Sequence, residues 1–157
     1  MIGRRVPAEV KAVAPGERRL AWALADDGTV MVATEAGLWA GSSRLGWAFV
    51  EKVQWQPPVL TVHEVSEIEG TGGARSWTLT EDVRLAETIR TCVTSSIAWS
   101  DRRALGNGSH VRLVGRRLPG RDPLEWQVVW ERAVDRAVVA YAAQAEAWVE
   151  ELSRTIG

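Results

Sequence analysis

The sequence predicts an α+β fold: a bent antiparallel sheet followed by helix–strand–strand–helix. Three observations carry this. The first half of the 157 residues consists of short apolar stretches broken by Asp-Gly, Gly-Ser and Pro-Pro, the pattern of antiparallel strands joined by turns. Apolar residues then step by four at Leu85, Ile89, Val93 and Ile97, and by three or four from Val134 to Leu152, as on helices with one buried face. Between these helices, Leu124, Trp126, Val128 and Trp130 alternate with Glu125, Gln127 and Val129, the period of a strand.

Taken in order, residues 1–17 contain Pro7, Pro15 and Gly16 and read as an irregular arm with a helical turn at Ala8–Val13. Leu20, Trp22 and Leu24 alternate with smaller residues and predict a half-buried strand. Asp26-Asp27-Gly28 turns the chain, because Gly tolerates positive φ, and β-branched Thr29–Thr34 returns. Leu38–Ala40 is a short third strand, and Gly41-Ser42-Ser43 turns again. Phe49–Trp55 carries Val50, Val53 and Trp55, a spacing that implies a bulge. Pro57-Pro58 breaks the ladder before the Val59–Val62 strand. Gly70, Gly72 and Gly73 mark residues 67–74 as an exposed, flexible loop before a strand at Ser76–Leu79.

Thr80 is placed to cap the first helix, with Glu81 and Asp82 in its first turn, where the helix dipole favours acids. The Leu85–Ile97 ladder runs that helix to about residue 100, and residues 101–109, with Gly106-Asn107-Gly108, end it as a loop. Val111–Arg116 and Leu124–Trp130 are strands around a turn at Pro119-Gly120 and Asp122-Pro123. The last helix carries Val134, Val138, Tyr141, Ala145, Trp148 and Leu152 on one stripe. The domain organisation is thus an arm at 1–17 and one α+β domain at 18–157, with a β part at 18–80 and an α/β extension at 81–157.

Bulk composition bounds the function. Apolar residues make up 46% and charged residues 25%, ordinary globular values, so disorder is excluded. A net charge of −1 argues against holding nucleic acid by bulk electrostatics. The only lysines are Lys11 and Lys52, as expected of a GC-rich genome. Cys92 is alone, the N-terminus has no signal-peptide pattern, and no apolar run is long enough to span a membrane; together these predict a cytoplasmic protein.

The stretch Val32–Trp39, then Leu45–Val53, then Leu60–Val62, resembles the bacterial PH-like domains. The likeness covers about residues 18–65. It implies a strongly bent antiparallel sheet closed by a helix, with the chain after residue 75 as an addition. Phosphoinositide-binding PH domains carry Lys and Arg around the first hairpin. Here Asp26 and Asp27 stand there, and two carboxylates repel a phosphate, so that ligand is not expected.

No catalytic, cofactor or metal residue is predicted. His63, His110 and Cys92 are too few and too scattered for a zinc site. Cys92 lies deep in a helix without a base, and Ser95 and Ser96 lack a nucleophile elbow. Gly70–Gly73 leads into a strand rather than a helix and lacks a phosphate-loop Lys. Nine tryptophans are the outlier in a chain with one Phe and one Tyr, and core filling explains most of them. Arg102, Arg103, Arg116, Arg117 and Arg121 flank one strand and can form a basic rim. The expected function is a non-enzymatic protein-interaction module that forms a homodimer, with Trp126, Trp130, Trp148, Arg116 and Arg117 as interface residues. The alternative is a small-ligand domain with a Trp-lined pocket inside the bent sheet.

Overall fold

The computed structural model describes residues 5–80, 83–106 and 108–157. Glu81, Asp82, Asn107 and Arg4 lie outside them, so the acidic first turn and part of the Gly106–Gly108 loop are not described. Among the described residues the fold is α+β, with ten strands in three antiparallel sheets and three α-helices.

The first sheet is a meander of β1 (Arg19–Leu24), β2 (Val30–Thr34), β3 (Gly37–Ala40) and β4 (Ser43–Gly46). The β1–β2 turn forms as the sequence predicts: Gly28 sits at φ +91°, and the Thr29 amide donates to Asp27 Oδ1 at 2.9 Å. That bond holds the Asp27 carboxyl below its ordinary pKa. After a 3-10 turn at Trp47–Phe49 comes the second sheet, β5 (Val50–Gln56), β6 (Val59–Glu64) and β7 (Ala74–Thr78). The predicted bulge in β5 falls between Val50 and Lys52. The two sheets meet at a corner, where Ala25 bridges Leu79 and the Asp26 amide donates to the Thr78 carbonyl at 2.8 Å. The combined sheet is therefore bent.

Helix α2 (Val83–Ser96) packs on β1, β2 and β5, with Leu85, Ile89 and Val93 buried. The helix expected to open the extension thus closes the first core instead. Thr80 donates its hydroxyl to the Leu24 carbonyl. The β1 side chains face opposite to the simplest expectation: Ala21, Ala23 and Ala25 are in the core, while Leu20, Trp22 and Leu24 are half-buried on the outer face. Alanines let α2 lie close to the strand. The outer face is covered in turn by α1 (Ala8–Lys11), which packs on β2 and buries Val10 beside the equally buried Val32.

The third sheet has the order β10-β9-β8. Its first strand, β8 (Ile97–Gly106), occupies residues expected to finish a helix and form a loop. Ile97 continues the spacing of Leu85, Ile89 and Val93, but it is 40% exposed and already in the strand. Strands β9 (Ser109–Arg116) and β10 (Glu125–Trp130) form where predicted, with Trp126, Val128 and Trp130 facing the second core. Helix α3 (Val139–Thr155) covers that face through Tyr141, Ala145, Trp148 and Leu152. It starts later than the apolar stripe suggests, because Val134 is buried from the turn that precedes it.

Two junctions tie the third sheet to the first two. At one, Arg116 donates to Ser96 Oγ (2.8 Å), the Val50 carbonyl (3.3 Å) and Gln127 Oε1 (3.3 Å), and Gln127 Nε2 donates to the Ala48 carbonyl (2.7 Å). At the other, the loop after β6 runs beside β10: the Trp130 amide donates to the Glu67 carbonyl at 2.7 Å and the Glu69 amide to the Trp130 carbonyl at 2.8 Å. Arg132 donates to the Glu69 and Gly70 carbonyls, and Arg136 pairs with Glu67. The glycines suit this packing, since a Cβ on Gly72 would meet the Glu64 carbonyl oxygen at 1.9 Å. The loop expected to be flexible is thus bonded along its first half.

Candidate functional site

The tryptophans are structural. Trp47 and Trp77 are buried in the first core, with Trp55 packed against it. Trp130 is buried in the second, with Trp99, Trp126 and Trp148 around it, and Trp99 meets Trp126 edge-on at 5.7 Å between centroids. Trp39 donates to Glu17, and Trp22 is half-buried on the outer face of β1. None of the nine is exposed.

The expected interface residues therefore divide. Arg116 is only 4% exposed, and its guanidinium bonds inside the molecule. Desolvation pulls its pKa down, and Glu51 opposes that shift. Trp130 is buried as well. These two hold the fold together and do not face a partner. Trp126 and Trp148 are half-buried, and Trp126 Nε1 donates to the Gly157 carbonyl. Arg117 is exposed. The basic rim does not assemble, because its members point to different places. Arg102 pairs with Glu131 and holds that carboxyl below its ordinary pKa. Arg103 pairs with Asp101 and stacks on Trp99 and Trp148 at 5.7 and 5.4 Å, on the opposite face of β8.

Reactive groups lie apart. His63 bonds Gln54 on the second sheet, while His110 is on β9 with a buried Nδ1 that has no partner among the described residues. No group of three or more His, Cys, Asp or Glu that could hold a metal occurs among the described residues. Burial pushes the Cys92 thiol pKa up, away from the thiolate that a nucleophile needs. Ser96 donates to the Val93 carbonyl and accepts from Arg116. The space between the first two sheets, beside Leu38, Leu45, Val62 and Trp77, has a volume of about 150 Å³.

The most distinctive surface feature was not visible in the sequence: the outer edge of β8. At ten residues this is the longest strand among those described, and it pairs only with β9. The other edge strands are shorter, from four residues in β4 to seven in β5. The ends of β1 and β7 bond each other, α2 packs on β5, and β10 is flanked by Glu67–Glu69. Along β8, Ser100, Asp101, Arg102 and Ala104 are exposed; no backbone–backbone bond on its outer edge is seen among the described residues, and the Arg102 amide donates to the Asp101 side chain, Oδ1, at 2.9 Å. Near the same sheet, Val138 and Val139 at the start of α3 are 36% and 80% exposed. No helix among the described residues is long and apolar enough to cross a membrane. No family model matches the chain, and neither a curated protein nor a solved structure matches it.

Proposed function

We propose that this chain is a non-enzymatic protein-interaction module that self-associates, built on a PH-like body with an added sheet and helix. The observation that carries the reading is the uncovered ten-residue edge of β8. A strand edge presents amide and carbonyl groups on which another chain can pair, and the longer the regular stretch left uncovered, the better the template. The PH-like part of the reading is supported by β1–β7 and α2, since a bent antiparallel sheet closed by one helix is what the resemblance implies.

A small-ligand function has less support. The space between the sheets is about half the lower bound of roughly 300 Å³ for pockets that enclose a drug-sized molecule, and the larger cleft of about 330 Å³ beside Trp47 and Cys92 is open to solvent rather than enclosing. Nucleic-acid binding also has little, because Arg44, Arg102, Arg103 and Arg136 are paired to carboxylates. The lone, partly buried Cys92 fits a reducing cytoplasm.

Light scattering during gel filtration tests the reading. The expected mass is twice the 17.3 kDa of one chain. A mass of one chain at every concentration up to the highest attainable overturns it.

A further inference from the structure

We infer that β8 pairs antiparallel with β8 of a second copy about a two-fold axis at Arg102, joining two three-stranded sheets into one of six. This rests on the self-association proposed above and names its surface and register.

Geometry limits the choices. Two copies of one strand that pair antiparallel across a two-fold axis put residues of the same face opposite each other. The axis then passes through a residue pair formed by one position and its own copy. Charge selects among the central registers. With the axis at Asp101, two carboxylates meet directly, which is destabilising. With the axis at Arg103, two guanidinium groups meet, and each Asp101 faces Leu105. With the axis at Arg102, Asp101 of each copy faces Arg103 of the other, twice over, and Ser100 faces Ala104.

That register also brings Arg102 against its own copy. The structure compensates this charge: Glu131 accepts from Arg102 Nε at 3.0 Å and from Nη2 at 2.5 Å. The cross-strand ion pairs lie on the other face. There Asp101 Oδ2 lies 3.1 Å from Arg103 Nε within the strand and Oδ1 accepts from the Arg102 amide at 2.9 Å, so pairing with a second copy exchanges these local bonds for bonds between copies. The ladder to β9 is regular from Trp99 to Ala104, with irregularities on either side, so the stretch that would pair is straight. Charged side chains can blunt a strand edge, but a protective charge works only where the pairing register brings like charges together. Here Asp101 and Arg103 share one face with opposite signs, and the register about Arg102 sets each against its opposite on the second copy. α3 packs on the Trp99–Arg103 face, so the two copies of α3 would lie on the same side of the joined sheet.

The test uses two single variants of the whole chain, Asp101→Arg and Arg103→Asp. In the proposed register each variant places like charges opposite each other twice, and their mixture places opposite charges twice. Each alone should therefore dimerise at least tenfold more weakly than the unchanged chain, and an equimolar mixture should restore a heterodimer. The intrastrand Asp101–Arg103 pair remains broken in both variants, so recovery on mixing reads the contact between copies alone. Because Arg103 also stacks on two tryptophans, a second measurement guards against misfolding. Arg102→Cys in a Cys92→Ala background should form a disulfide-linked dimer under mild oxidation, and Ser100→Cys alone should not. A dimer of the unchanged chain that both charge variants leave intact, or that Arg102→Cys fails to cross-link, overturns the β8 register while leaving self-association standing. A monomer overturns both.

Discussion

The two bodies of this molecule treat their surfaces differently. The body formed by β1–β7 and α2 is covered on both sides of its first sheet, by α2 within and by α1 outside, and its core contains Met31, Leu60, Leu85 and Ile89 with no exposure. The body formed by β8–β10 and α3 buries Val111 and Leu113 fully, and the rest of its core grades into half-buried Trp99, Trp126, Tyr141 and Trp148. The first body has the larger buried core; the second has more of its aromatic side chains at the border with solvent and ends in an open strand. The difference teaches that core packing here settles the first body's shape, while the second retains surface that another chain can use.

A pair of core truncations tests that contrast. Leu60→Ala and Leu113→Ala both remove a side chain with no exposure. The cost of such a cavity depends on how far its surroundings collapse. The site around Leu60 should give about 4 kcal/mol, and the one around Leu113, bordered by half-buried Trp99 and Trp126, about 3 kcal/mol. Urea unfolding measures both. Equal costs would mean that the aromatic rim is as rigid as the first core.

Arg116 is where the contrast can be broken, since it joins the bodies. Arg116→Ala removes donors from Ser96 Oγ, the Val50 carbonyl and Gln127 Oε1. Leaving buried acceptors unpaired should cost about 2–3 kcal/mol. It should also separate the melting of the two bodies, with amide-exchange protection of Val111–Val114 lost at a lower temperature than that of Leu60–Val62. A single transition at a lowered temperature would instead show that the loop contacts at Glu67–Gly70 suffice to keep the bodies cooperative.

The same contrast explains which features were legible. The hairpin at Asp26–Gly28, the break at Pro57-Pro58 and the alternation of Leu124–Trp130 are local signals, and the strands they bound formed as read. The direction of β1 was not legible because both faces of its sheet are covered, so alternation marks a strand without saying which side is inward. β8 was hidden because Ile97 keeps the helical spacing of α2, and Asp101-Arg102-Arg103 masks the alternation of Trp99, Arg103 and Leu105. Its pairing with β9 is a tertiary choice that overrides that local pattern. The role of Arg116 was equally hidden, because only folding brings Val50 and Ser96 to it.

The smallest effect concerns the cover on the first body. Glu17 fastens the N-terminal arm: Oε1 accepts from Thr34 Oγ1 at 2.7 Å and Trp39 Nε1 at 3.1 Å, and Oε2 lies 3.5 Å from Arg44 Nη1. The bond from Thr34, opposed by desolvation and reinforced by Trp39 and Arg44, lowers the Glu17 pKa from its ordinary 4.5. A carboxyl with a depressed folded pKa contributes stability that is fully present above its ordinary value and is lost as pH falls through the folded one. The arm should therefore stay fastened at neutral pH and loosen only below 4.5, by under about 1 kcal/mol for a partly solvated group. Amide exchange of Val10–Arg18, corrected for the intrinsic pH dependence, should show protection falling on acidification in the unchanged chain. In Glu17→Gln the protection should be lower at neutral pH and flat through the same range. Flat protection in both would leave the apolar contact of Val10 on β2 as the arm's sole fastening, and the first body would then owe its outer cover to packing alone.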